Sequence, residues 1–398
     1  MHIGLVPAVL DGMKSGNATF TPLALTRVVK LLFLSRMRNK LVGISTLLIA
    51  AMSDVAHGGT LRKVWDFKVS GVLGAETRAD GVFAIGFSHD GQQIAAVIGH
   101  SWREESILIL DTQAPSTRHR ALPVNPKVWD WEPGVNRRID WSPSGLQIIL
   151  GNLVVKTLTG EGCSLPEIVL YPGYRFVEDR IVGAQFRPVR LTTFDTDCRL
   201  LDTWEVGGAT ELKISDASST RDLMLVARTT VSGGRFVELT SLTNKSAVRQ
   251  LPPTSNNTKF GDNSKAICGA TGKPWHRAIE CWTTNGGGPL AKSDGWNSPD
   301  VRVTLGSSRA VISDYSRKLD WFVDWFWYPG ALSKRVVWDF RSGRRLVTWK
   351  PKSQKVQTGE FPNSKVGQEQ PYRFDISPDG EYIVEGGSGV ITLYKIEP

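Results

Sequence analysis

From residue 60 onward, apolar and polar positions alternate over short runs, and no segment carries the 3.6-residue apolar period of a helix. The runs recur as one unit. An alternating strand leads into a Ser/Pro/Asp/Gly turn, then an apolar strand, a loop, a β-branched strand, a polar turn and a fourth strand. First strands are expected near residues 82, 137, 173, 211, 257, 301 and 372, which makes seven units. Second strands read Gln93–Val97, Leu146–Leu150, Arg180–Ala184, Leu223–Ala227, Lys265–Gly269, Arg309–Ser313 and Glu381–Glu385. Third strands include Ile107–Asp111, Phe236–Thr240, Val336–Phe340 and Val390–Tyr394. The turns Phe87-Ser-His-Asp-Gly91, Trp141-Ser-Pro-Ser-Gly145 and Ile376-Ser-Pro-Asp-Gly380 are three copies of one design. Asp or Ser bonds the turn backbone, and Gly accepts a positive φ.

Four short antiparallel strands per forty-odd residues predict an all-β fold, a seven-bladed β-propeller of four-stranded antiparallel blades. The chain ends after the third strand of the last unit, and Leu61–Lys68 precedes the first unit as an orphan strand. That N-terminal strand is expected to complete the last blade, so that the ring has no open seam. The fragment Val336-Val-Trp-Asp-Phe-Arg-Ser-Gly-Arg-Arg-Leu-Val347 resembles the end of a WD40 blade. With the turns, it makes residues 60–398 similar to the divergent WD40-like propeller family. Most units lack that family's Gly-His pair and terminal Trp-Asp, which puts its regular hydrogen-bond network in question.

The first 56 residues read differently. Leu41–Met52 is a 12-residue apolar run preceded by Arg36, Arg38 and Lys40 and followed by small and polar residues. Basic flank, short apolar centre and small-residue exit are the parts of a secretory signal peptide, and the run is too short to span a bilayer. Cleavage is expected between about residues 51 and 57, with Met37 as the natural start of the signal. The chain thus divides into 1–36, an upstream extension or long n-region, 37–56, a signal peptide, and 57–398, a single propeller domain. A buried helix over 41–52 is the alternative. The mature chain carries no integral membrane span on this reading, and its compartment is secreted or periplasmic.

Charge narrows the partner class. Of the formal +9, residues 1–56 hold +4, leaving +5 on the propeller region. That is ordinary for a globular domain and carries no clustered basic stripe, so nucleic acid is not expected as a partner. The glycine excess, 39 residues, reflects the many tight turns. Tryptophan stands out, at 14 against 7 tyrosines.

Much of that tryptophan falls in segments expected to form loops on one face, the face where blades are entered and second strands pass to third. These segments are Asn125–Gly134, His100–Glu105, Gly272–Arg277, Lys292–Asn297 and a long insertion, Asp314–Gly330; a Lys/Gln-rich segment runs from Pro351 to Pro371. Large rigid rings with Arg and Asp nearby are how interaction hot spots look. Trp102, Trp129, Trp131, Trp275, Trp321, Trp325, Trp327 and Tyr328 are therefore the candidate residues for binding a protein or peptide partner. The alternative is a carbohydrate-binding or glycan-active propeller, in which the same rings stack on a glycan and Asp130, Glu132, Asp320 and Asp324 accept hydroxyl protons or supply an acid/base pair. Alternatively Trp321, Phe322, Trp325, Phe326 and Trp327 fold down as a local mini-core of a structural scaffold.

Catalytic chemistry is thin. Ser88-His89-Asp90 holds the three triad residue types, but adjacent in a tight turn their side chains cannot converge. The histidines show no metal-ligand spacing, and Gly269–Pro274 lacks the length and the Ser/Thr of a phosphate loop. No cofactor, metal or catalytic residue is expected. Cys268 and Cys281 should face each other across a hairpin turning at Pro274–Trp275, within disulfide reach. Cys163 and Cys198, 35 residues apart, are placed in the turns before two fourth strands, bridging blades 2 and 3 or remaining thiols.

Overall fold

The computed structural model describes residues 59–72, 81–100, 103–123, 139–166, 173–185, 188–252, 258–261, 264–273, 276–296, 302–315, 333–349, 374–387 and 389–397. Residues 1–58, which contain the expected signal segment, lie outside that set.

Seven four-stranded antiparallel sheets follow one another. β1 (Thr60–Lys68) opens the chain, followed by a single 3-10 turn at Val69–Gly71. Blade 1 is β2 (Gly81–Phe87), β3 (Gln93–His100), β4 (Arg103–Asp111) and β5 (His119–Pro123). Blade 2 is β6 (Ile139–Trp141), β7 (Gln147–Leu150), β8 (Leu153–Lys156) and β9 (Gly162–Ser164). Blade 3 is β10 (Arg175–Val177), β11 (Arg180–Gln185), β12 (Arg190–Phe194) and β13 (Leu200–Glu205). Blade 4 is β14 (Ala209–Ala217), β15 (Leu223–Thr230), β16 (Arg235–Ser241) and β17 (Ser246–Gln250). Blade 5 is β18 (Lys259–Gly261), β19 (Ala266–Lys273), β20 (His276–Thr283) and β21 (Pro289–Trp296). Blade 6 is β22 (Arg302–Gly306), β23 (Arg309–Tyr315), β24 (Ser333–Asp339) and β25 (Arg344–Trp349). Blade 7 is β26 (Phe374–Ile376), β27 (Tyr382–Gly387) and β28 (Val390–Glu397), with β1 as its outer strand.

The closure follows the sequence expectation. β1 runs antiparallel to β28 from Thr60↔Glu397 to Lys68↔Val390, with a bulge between Lys63 and Trp65. The innermost strands touch in series around the ring, β2 to β6, β10, β14, β18, β22, β26 and back to β2. Each blade-to-blade interface is a separate apolar layer. Blades 7 and 1, for example, share Phe67, Val82, Ile94, Val384 and Leu393, all buried. At that junction Gly386 is required by close approach, because a Cβ there would lie 2.4 Å from a Val82 methyl.

The three copied turns hold identical bonds. In each, the glycine N–H donates to the serine carbonyl: Gly91 to Ser88 at 2.9 Å, Gly145 to Ser142 at 2.9 Å and Gly380 to Ser377 at 2.8 Å. The serine hydroxyl accepts the backbone N–H of Gln93, Gln147 or Tyr382. The three glycines sit at φ 71, 71 and 77°. Ser88-His89-Asp90 is thus turn chemistry, and His89 Nε2 reaches across to the carbonyl of Trp141 in blade 2 at 2.8 Å.

Both cysteine pairs are joined. Cys268 and Cys281 are direct partners on β19 and β20 with Cα atoms 4.1 Å apart, and Lys273 pairs with His276 across the turn. Cys163 and Cys198 are bonded at a Cα separation of 6.0 Å and link blades 2 and 3. Cys198 lies in the turn before β13, as expected; Cys163 lies within β9 itself, paired with Val154.

Candidate interaction face

The eight residues nominated from the sequence, Trp102, Trp129, Trp131, Trp275, Trp321, Trp325, Trp327 and Tyr328, all lie outside the described residues. The strand ends that flank them are described. Because strands alternate in direction, first strands start, second strands end, third strands start and fourth strands end on one side of the ring. His100 pairs with Arg103, Lys273 with His276 and Tyr315 with Ser333, so the segments holding Trp102, Trp275 and the 316–332 insertion all leave from that side. The stretch between Pro123 and Ile139, which holds Trp129 and Trp131, does the same.

The seven described tryptophans behave otherwise. Trp141, Trp282, Trp296 and Trp338 are buried, and Trp65, Trp204 and Trp349 are half-buried. Several clip one blade to the next through the indole N–H. Trp65 donates to the Thr112 carbonyl at 2.8 Å, Trp141 to the Gly86 carbonyl at 3.2 Å and Trp349 to Glu385 at 3.0 Å. Trp296 corrects the expected loop at 292–297. It is the last residue of β21, buried against Ala310, Ile312 and Trp338 of blade 6, with the Arg345 guanidinium 4.7 Å from its ring centre. The strand reaches it through a bulge with one extra residue: Asp294 and Gly295 stand between Ser293 and Trp296, where Ala278 alone stands between Ile279 and Arg277.

Polar groups gather where the blades meet on the loop face. Arg335, at the start of the third strand of blade 6, is 4% exposed and is salt-bridged to Glu385 of blade 7. Its guanidinium also lies 3.9 Å from the ring centre of Phe374, and Glu385 takes the Trp349 N–H as well. Arg335 and Phe374, both buried, thus form one charge-assisted cluster with the half-buried Glu385 and Trp349 at the ends of blades 6 and 7.

Deeper in the ring, three aspartates tie inner strands together. Asp375 accepts the Phe87 N–H at 2.9 Å, Asp140 the Phe176 N–H at 2.7 Å and Asp216 the Phe260 N–H at 2.9 Å. The signal was readable, since each aspartate stands two residues before a turn serine: Asp140-Trp-Ser142, Asp216-Ala-Ser218 and Asp375-Ile-Ser377. Arg335 and Glu385, 50 residues apart in different blades, left no such repeat.

A cleft of about 210 Å³ opens between blades 3 and 4, lined by Trp204, Val206, Val226, Arg228, Glu238 and Lys245 among others. Arg228 faces Glu238 at 3.4 Å, and Lys245 bridges to Asp202 with its ammonium 5.7 Å from the Trp204 ring centre. The Lys245 hydrogen bond holds the Asp202 carboxyl below its ordinary pKa. On the other side of blade 3, burial pushes the Tyr174 phenol up, and its hydroxyl donates to the Pro166 carbonyl at 2.6 Å. Among the described residues no group of His, Cys, Asp and Glu is placed to hold a metal ion.

No protein-family profile matches this chain, and no curated protein matches it by sequence. Solved structures do match by fold. The Swd1 (Cps50) β-propeller domain of Myceliophteria thermophila superposes with a TM-score of 0.52 at 10% identity, covering 85% of this chain and 100% of that one. A chain of the mitotic checkpoint complex gives 0.51 at 10% identity, over 86% of this chain and 98% of the other. Hydrazine synthase of Kuenenia stuttgartiensis gives 0.51 at 13% identity, over 81% and 98%. These likenesses fix the fold alone; one neighbour is named as a complex and another as an enzyme, so the site must carry the function. The WD40 resemblance holds at the level of the seven-bladed ring. At the Trp-Asp pair, Trp338 is fully buried and its Nε1 has no acceptor among the described residues, while Asp339 caps its own turn through Arg341 and Ser342.

Proposed function

We propose that this divergent WD40-like β-propeller is an exported, non-catalytic binding protein that takes a protein or peptide partner on its loop face. One observation carries the reading. The described tryptophans are absorbed in packing the blades, whereas seven more, and Tyr328, stand in segments that all leave one side of the ring. Large aromatic rings gathered in the segments that join strands at one side of the ring are the composition expected of a binding hot spot. Export is supported by the two disulfides, which fit an oxidising compartment, and by the signal-like residues 37–56. Among the described residues no helix is long and apolar enough to cross a membrane.

The test is a Trp321→Ala, Trp325→Ala, Trp327→Ala variant of the full chain, compared with wild type by iodide quenching, thermal melting and glycan array. The expected result is a smaller quenchable fraction of the fluorescence with an unchanged melting temperature. A large drop in melting temperature with unchanged quenching would make the rings a mini-core and end the reading. Sugar binding by wild type that disappears in the variant would replace the protein partner with a glycan. N-terminal sequencing of the exported chain should begin between about residues 51 and 57.

A further inference from the structure

Arg175 is the first residue of β10, at the inner edge of blade 3 and at the end that opens on the loop face. It is 3% exposed. Its neighbours Tyr174 and Phe176 point into the core between blades 2 and 3. By the alternation of the strand, Arg175 points the other way, on the face it shares with its cross-strand partner Val182, toward blade 4. Nη1 is used, donating to the Tyr174 carbonyl at 2.7 Å. Nε and Nη2 are buried and have no hydrogen-bond partner among the described residues.

Those two nitrogens are the side-on edge of the guanidinium, with parallel N–H groups spaced to match the two oxygens of a carboxylate or other oxoanion. A buried, charged donor pair left without an acceptor is strongly unfavourable. The same register position in blade 5 shows how the fold satisfies such a cation when it is structural. There Lys259 stands one residue before Phe260, as Arg175 stands before Phe176. Its ammonium donates to the Ser215 carbonyl at 2.8 Å and lies 3.7 Å from Asp216. In blade 3 the matching aspartate, Asp140, spends one oxygen on the Phe176 N–H, and no ion pair joins it to Arg175.

We infer that the Nε/Nη2 edge of Arg175 is a receptor for a carboxylate, supplied by an acidic side chain or the C-terminus of the peptide partner. The inference rests on the partner reading above and adds its chemistry: the aromatic segments supply contact area, and Arg175 reads an acidic group at the inner margin of the same face. Nη1, held by the Tyr174 carbonyl, fixes the plane of the fork in advance, which lowers the entropy lost on binding.

Isothermal titration calorimetry on the full chain tests this with two small probes at low ionic strength, N-acetylglycine for a peptide carboxylate and inorganic phosphate for a free oxoanion. Wild type should bind N-acetylglycine at one site. Arg175→Lys, which keeps the charge and loses the fork, should bind it about tenfold more weakly, as expected for replacing a bidentate contact by a point charge. Arg175→Met should not bind it, and should melt no lower than wild type, because an unpaired buried charge has been removed. The assignment is overturned if wild type ignores N-acetylglycine, if it binds only phosphate, or if Arg175→Met binds as well as wild type. It is equally overturned if folded Arg175→Met melts well below wild type, which would mean that the chain's own acceptor holds the fork. Because the probes are small anions, a negative result counts against Arg175 and leaves the aromatic partner face to its own test.

Discussion

Two junctions of the ring are held by opposite means. Between blades 2 and 3 the link is covalent, Cys163 to Cys198, reinforced by Asp140 on the Phe176 N–H. Around blade 7 it is wholly non-covalent. There β1 pairs with β28 along its length, Trp65 clips to Thr112, Asp375 accepts from Phe87, and Arg335 and Glu385 pair from blade 6. The non-covalent junction has the harder task, because it joins Thr60 to Glu397 across nearly the whole sequence. Such long closures carry the largest loop-entropy term and must be repaid by many contacts at once. The disulfide instead secures neighbouring blades that short connections already hold together.

The comparison can be broken in order of expected effect. Removing residues before Val69, and with them β1, should abolish cooperative thermal unfolding, since blade 7 then exposes the β28 edge and the Phe67 layer opens. Near-UV circular dichroism and a melt check this, and a transition preserved within a few degrees would show that the seam is dispensable. Replacing Cys163 and Cys198 together with Ala should destabilise the chain by about 4 kcal/mol, and Cys268 with Cys281 by about 3 kcal/mol, following the loop lengths they close. Urea midpoints of the two variants should keep that order. Asp375→Ala and Asp140→Ala each leave a buried Phe N–H without its acceptor and should cost about 1–3 kcal/mol. A clearly smaller loss for Asp140 would show the disulfide shielding its junction.

The smallest effect is one of pH. Tyr174 is buried, and its pKa is raised above that of the unfolded chain. Its contribution is therefore complete below the unfolded phenol pKa, near 10, and stability declines as pH rises beyond it. Absorbance at 295 nm should show one tyrosine that ionises only on unfolding; titration in the native state would contradict the burial.

How much could be read from the chain follows from what kind of contact is involved. Strands, turns and the Cys268–Cys281 pair depend on period-two alternation and on residues a few positions apart, so they were legible. The polar stretch Lys292–Gly295 predicts a loop at Trp296. β21 is an outer strand and tolerates exposed polar positions and a bulge, which hid its last, buried residue. The Asp-x-Ser repeat was visible but silent, since only packed inner strands show that the carboxylate crosses to the next blade.

The sequence by itself determined seven repeats, the three copied turns and the closing role of Leu61–Lys68, because local hydrogen-bond geometry and side-chain alternation are written residue by residue. The tertiary structure decided that Cys163 and Cys198 are bonded and not free thiols, that Arg335 meets Glu385, and that Arg175 keeps a buried fork with only one nitrogen engaged. Those are meetings between elements far apart in the chain. Their distances are set by the way the blades stack around the axis, a quantity no local pattern encodes.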